Sequence, residues 1–274
     1  MKRTKINIPL KKIKYIHHIS DVHIRNLKRH AEYEQVFERL YEKIKQNRED
    51  SIIYIGGDIA HSKTDMSPEL VDQTSRFLKS LSEICPTIVI TGNHDCNLNN
   101  LNRLDVLTPI INNLNLPNLH YLKRSGVYDI ADMSFVVWDV WEDEEDYIKA
   151  SDFEADTKVV LYHGTVDRSK TDVGFSLPGK VTIDYFDGYD LGLIGDIHKR
   201  QYLDKEKTIA YCGSLIQQNH GESIGHGYLL WEVETKKSEY IEIPNDYGYY
   251  TIDIDKGIVP DVKGMPKKAR LRVR

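Results

Sequence analysis

An α/β layered fold is predicted for this chain on three observations. Short β-rich runs alternate with longer amphipathic stretches from early in the sequence. The 274 residues, 40% of them hydrophobic, suffice for a sizeable core in one large domain or a domain plus an extension. Acidic and histidine clusters follow directly on strand-like runs, where α/β sheets gather their chemistry. A charged fraction of 29% is ordinary globular composition and excludes disordered or low-complexity classes. No apolar run approaches the roughly 18 residues of a membrane span. The basic segment 1–14 lacks the apolar stretch of a signal peptide. Cys85, Cys96 and Cys212 are odd in number, scattered and free of any C-x-x-C pairing, which reads as reduced thiols in a cytoplasmic compartment. A net charge of −5 argues against nucleic-acid binding by bulk positive charge.

The elements follow in order. Residues 15–19 read as a strand leading into Ser20-Asp21-Val22-His23. Tyr33, Val36, Phe37, Leu40, Tyr41 and Ile44 then form a helical stripe. Residues 51–55 are a strand ending at Gly56-Gly57-Asp58. Ser67-Pro68 starts a second helix, lined by Leu70, Thr74, Phe77, Leu78 and Leu81. Residues 87–90 are a third strand, ending at Gly92-Asn93-His94-Asp95. A helical stretch is expected over about 101–114, interrupted by Pro109. Strands are then expected at 119–122, 135–140, 159–162, 191–194, 208–211, 228–233 and 240–243, with the acidic interval 141–156 as a loop or short helix. The chain is expected to divide at residue 245 into a main domain and a connecting segment, 246–274. Its end, at Leu271-Arg272-Val273-Arg274, looks like mid-strand, so the sequence reads as the N-terminal portion of something longer.

Asp21 and His23, Asp58, Asn93 with His94, His163, and Asp196 with His198 all stand at strand ends. Such loops converge on one crevice. Together they offer carboxylate, amide oxygen and imidazole, a ligand set for Mn, Mg, Fe or Zn. Seven candidates are too many for one ion and suit two that share a carboxylate, as in two-metal phosphate-ester hydrolases.

Asp21-x-His23, Gly57-Asp58, Gly92-Asn93-His94-Asp95, His163-Gly164 and Gly195-Asp196-Ile197-His198 resemble, in order, the five motifs of calcineurin-like metallophosphoesterases. Within that superfamily the chain looks like the SbcD-type DNA-repair nuclease subunit, a relative of the meiotic-recombination-eleven nucleases, with phage and large-virus versions most similar. The narrower resemblance rests on Gly56-Gly57-Asp58-Ile59-Ala60-His61, on 195–201, and on the block from Tyr211 through Gly213-Ser214-Leu215 to His226-Gly227-Tyr228. It implies a four-layer α/β/β/α sandwich with two mixed sheets. It places metal one on Asp21, His23, Asp58 and His198, and metal two on Asp58, Asn93, His163 and Asp196. It makes His94 the proton donor to the leaving oxygen, held by Asp95, and His61 a contact to substrate phosphate.

The implied activity is a metal-dependent DNA phosphodiesterase, a 3′-to-5′ exonuclease and single-strand endonuclease in double-strand-break processing. The implied partners are DNA, a second copy in a homodimer, and a coiled-coil ATPase of the SbcC type; a DNA-capping domain would follow residue 274. Two rivals stand beside it: another phosphoesterase acting on phosphoproteins or nucleotides, and a non-catalytic scaffold. One departure marks the sequence, since the first histidine of the usual Gly-His-x-His motif is Asp196 here. A third carboxylate makes the site harder, which predicts Mn²⁺ or Mg²⁺ over Zn²⁺, with room for a water between the shorter Asp196 and metal two. Two divalent ions would also offset the chain's acidity where phosphate binds. His17 and His18 are expected to be packed, Cys96 to be a small packing residue, and His30, His120, His220 and His226 to be structural.

Overall fold

The computed structural model describes residues 2–256, 258 and 260–274; Met1, Gly257 and Val259, within the two expected segments, lie outside the described residues. In chain order the elements are β1 (Arg3–Ile6), β2 (Tyr15–Ile19), α1 (His30–Gln46), β3 (Ser51–Ile55), α2 (Pro68–Ile84), β4 (Thr87–Val89), α3 (Leu107–Leu114), β5 (Leu119–Tyr121), β6 (Gly126–Ile130) and β7 (Met133–Trp138). They continue with β8 (Lys158–His163), β9 (Leu191–Gly195), β10 (Gln201–Tyr202), β11 (Ile209–Tyr211), β12 (Gly227–Glu232), β13 (Lys237–Glu242), β14 (Tyr247–Ile252) and β15 (Lys268–Val273). Two mixed sheets result, ordered β1-β6-β7-β8-β9-β11-β10 and β13-β12-β2-β3-β4-β5, with β14 and β15 as a separate parallel pair.

The sheets stack because their strands are apolar on both faces. Ile52 and Tyr54 of β3 meet Phe135, Leu161 and Leu193 between the sheets. Their neighbours Ile53 and Ile55 point the other way, onto Val36, Leu40, Phe77 and Leu81 of α1 and α2. Likewise Val160 and Ile194 face outward from the seven-stranded sheet, against Trp138, Tyr147, Phe186 and Tyr189. The α/β sandwich is therefore present, with layers of unequal build. Three α-helices cover the six-stranded sheet, while short 3₁₀ turns at Glu144–Asp146, Ala150–Asp152 and Ile183–Phe186 cover the other.

Local chemistry explains the boundaries. Ser67 caps α2, its hydroxyl accepting from Leu70 N at 3.2 Å. The third helix starts at Leu107, later than the sequence suggests. Asn97 and Asn100 side chains bond the amides of Asn99 and Asn102, which holds the preceding segment in turns. Pro109 does not interrupt α3, because it sits in the first turn, where no backbone donor is needed. The pair β14 and β15 returns to α1 through Arg39–Asp246 at 3.3 Å and Arg270–Glu32 at 2.7 Å. Among the described residues no helix is long and apolar enough to cross a membrane.

Candidate metal centre

Strands β2, β3 and β4 run parallel in one sheet and β8 and β9 parallel in the other. Their carboxyl ends bring Asp21, His23, Asp58, Asn93, His94, His163, Asp196 and His198 into one crevice. The backbone bends sharply to do so. Asp21, His23, Asp58 and Asp196 have φ of 53°, 50°, 54° and 99°, a left-handed region costly for residues with side chains. Two glycines make the approach possible. A β-carbon on Gly57 would lie 2.6 Å from His163 Nδ1, and one on Gly92 would overlap the Asp58 carboxylate.

Two groups of donors each lie within 4.8 Å of one another: Asp21, His23 and His198, and Asp21, Asp58 and His163. In the first, His23 Nε2 is 3.0 Å from His198 Nε2, 3.8 Å from Asp21 Oδ1 and 3.6 Å from Asp58 Oδ2. In the second, His163 Nε2 is 3.4 Å from Asp58 Oδ1 and 3.2 Å from Asn93 Oδ1. Asp58 faces both groups with different oxygens. Two of the other ring nitrogens are already committed: His163 Nδ1 donates to Gly56 O at 2.6 Å, and His198 Nδ1 to Glu222 Oε1 at 2.8 Å. With Nδ1 as the donor, Nε2 faces the carboxylates, a place for either a proton or a cation between nitrogen and oxygen lone pairs.

The electrostatics agree. Burial opposes a charge on His163, yet Asp58, Asp21 and Asp196 push its pKa well above the usual histidine value. Burial likewise opposes protonation of His198, but the Glu222 hydrogen bond and Asp21 lift it to about 9. Burial dominates at His23, whose pKa falls well below normal. Burial also works against the Asp58 carboxylate, but His163 and His23 hold it far below the ordinary range. A crevice that draws positive charge onto buried imidazoles fits divalent cations.

Two features depart from the sequence reading. Asp95 does not hold His94. Its buried carboxylate accepts from Asp58 N at 2.8 Å, Gly92 N at 3.0 Å and Ala60 N at 2.9 Å, so it shapes the two ligand loops. The His94 ring is instead fixed by Nδ1–H donating to His61 O at 2.7 Å, and its amide donates to Asp58 Oδ1 at 2.8 Å. Asp196 stands apart from both donor groups: its Oδ2 accepts from Thr165 Oγ1 at 2.8 Å, and its Oδ1 is 4.0 Å from His163 Nε2. His61 reaches the centre, stacked on His94 at 5.7 Å, and joins His94 and His23 in a third donor group. Glu222 and Thr165, which hold ligand positions, carried no motif that could have announced them.

His17 and His18 are buried as expected, and Cys96 is a buried packing residue. A cavity of about 860 Å³ lies against Trp138, Tyr147 and Tyr185 on the outer face of the seven-stranded sheet and touches none of these donors.

The family model for calcineurin-like phosphoesterases matches residues 14–237. The chain belongs to that family. The buried Asp and His groups of this family member are consistent with a binuclear metal site. It is also similar to uncharacterized protein R555 of Acanthamoeba polyphaga mimivirus, 49% identical over 275 residues, which cover 95% of this chain and 20% of that protein. The chain thus spans about a fifth of that relative's length.

Two cations bound here would supply charge neutralisation at phosphorus and a more acidic attacking water. Asp21, His23 and His198 would hold one cation and His163 and Asn93 the other, with Asp58 placed to serve both. His94, its Nδ1 bonded to His61 O, would offer a proton from Nε2 to a leaving oxygen when its ring is protonated.

Proposed function

We propose that this chain is a DNA phosphodiesterase of the SbcD type, a 3′-to-5′ exonuclease and single-strand endonuclease that uses Mn²⁺ or Mg²⁺. The observation that carries the reading is where the distinguishing block 211–228 sits. Ser214 N donates to His198 O at 3.0 Å, a β-carbon on Gly213 would lie 2.7 Å from the same oxygen, and Glu222 holds the His198 ring. The segment on which the narrower resemblance rests is built into the support of a metal ligand. A basic strip adds to it. Strand β15 carries Lys268 and Arg272, followed by Arg274, while Arg270 between them is paired with Glu32 at 2.7 Å. Slight desolvation, then the charges of Arg272 and Arg274, lower the pKa of His220, which stands beside Glu222's turn. Phosphates leaving the metal centre in that direction meet positive charge, so affinity for DNA should fall with salt.

The expected partners follow the same proposal: a second copy, and a coiled-coil ATPase of the SbcC type. The test is digestion of end-labelled DNA across Mn²⁺, Mg²⁺ and Zn²⁺, with His94→Ala alongside. Degradation in Mn²⁺ or Mg²⁺ that drops about 100-fold or more in the variant supports the reading. Preferential turnover of a phosphopeptide or a cyclic nucleotide replaces it with the corresponding phosphatase or nucleotide phosphodiesterase.

A further inference from the structure

The loop after β2 carries two arginines in opposite situations. Arg29 forks the Glu32 carboxylate with Nε and Nη2, both at 2.9 Å, which neutralises it. Arg25 meets no carboxylate among the described residues. Its Nη2 donates only to Gln218, at 3.4 Å to the side-chain oxygen and 3.5 Å to the backbone oxygen, and its Nε is buried with no partner. His61 Nδ1, a ring nitrogen that can donate, is likewise buried and without a partner. Buried donors are nearly always satisfied, and a guanidinium nitrogen that lacks an acceptor is costly. Two such groups together call for an anion from outside the chain.

The backbone sets Arg25 and His61 side by side. Ile24 and Ala60 form a parallel bridge, with Ile24 N donating to Ile59 O at 2.8 Å and His61 N to Ile24 O at 3.0 Å. Arg25 and His61 leave that bridge together, and after burial the Arg25 charge is the next cause lowering the His61 pKa. His61 stacks on His94 at 5.7 Å, and His94 is the residue placed to protonate the leaving oxygen. A cation beside His61 therefore stands on the leaving-group side of phosphorus, one step outward from the donors that face the metal ions. The planar fork of a guanidinium matches the oxygens of a phosphate, and the long bonds to Gln218 leave this one free to turn toward it.

We propose that Arg25 binds a second phosphate, the one next to the scissile phosphate on the leaving-group side. The proposal rests on the DNA reading above and deepens it: the second phosphate adds binding energy that an isolated diester cannot supply. The experiment uses the full chain with Mn²⁺ and three thymidine dinucleotides. TpT has only the scissile phosphate, while pTpT and TpTp carry a second one at opposite ends; identifying the products shows which end leaves. In wild type, kcat/KM should be about tenfold higher for the dinucleotide phosphorylated on its leaving nucleoside than for TpT, chiefly through KM. Its isomer should gain less than about twofold. In Arg25→Ala the tenfold ratio should fall to about one, and Arg25→Lys should retain part of it, since a charge remains without the fork. Thermal melting checks folding. Equal rates on all three dinucleotides in wild type, or a ratio kept in Arg25→Ala, overturns the proposal and leaves the DNA reading standing. Turnover of bis(p-nitrophenyl) phosphate with all three dinucleotides left intact overturns the DNA reading, and the second phosphate site with it.

Discussion

The two halves of the metal centre are built differently. On one side Asp21, His23 and His198 crowd together, with the two imidazole nitrogens 3.0 Å apart and His198 braced by Glu222. On the other, His163 and Asn93 are close to Asp58, but Asp196 leans on Thr165 and keeps 4.0 Å from His163. The first half is a close cluster of donors, with His198 still partly exposed. The second has one wall held back by a hydroxyl, which leaves room for water or substrate oxygen. A close half would fix its ion and a looser half would adapt, a division suited to a site that must both hold cations and admit phosphate.

Removing what joins the halves should have the largest effect. Asp58→Asn removes the negative charge and one of the two oxygens that face both halves, so kcat should fall about 1,000-fold with loss of tight Mn²⁺ binding, measured by phosphodiester turnover and calorimetry. A smaller effect appears in the metal-free protein's pH profile. His198 has its pKa raised to about 9, above the ordinary histidine value, so its contribution to stability is full below about pH 6.5 and is lost as pH climbs through 9. Melting temperatures of chelator-treated protein should drop over that window. Mn²⁺, which displaces the proton, should flatten the curve, and equal slopes with and without Mn²⁺ would count against His198 as a ligand.

Loosening the tight half alone comes next. Glu222→Gln should reduce metal affinity 10- to 100-fold, with little change in the number of ions bound. Changing the open half should matter least. Asp196→His should alter turnover only a few-fold while moving metal preference toward Zn²⁺, and a metal panel identical to wild type would place Asp196 outside the coordination sphere.

Much of this was legible in the sequence because the informative residues stand where local rules are strict. β2, β3, β8 and β9 are buried on both faces and end at ligand motifs, so fold and site were read from the same letters. What escaped has weaker signals. β1 reads Arg-Thr-Lys-Ile, an edge strand that alternates exposed and half-buried positions, and β10 is two residues long. Helix α3 was placed too early because its asparagine-rich approach has apolar residues at helical spacing while the side chains favour turns. Asp95 sits beside His94 in sequence, but its carboxylate points at backbone amides, a direction that adjacency does not encode. Glu222 acts across 24 residues on His198, and only the folded chain makes them neighbours.

The left-handed backbone at Asp21, His23, Asp58 and Asp196 has a consequence for how the chain could drift. At each of these four positions glycine would relax the main chain, and it would also delete a metal-facing group. Stability and chemistry therefore pull in opposite directions at the same residues. A copy no longer selected for hydrolysis should lose these side chains early and become sturdier as it falls silent.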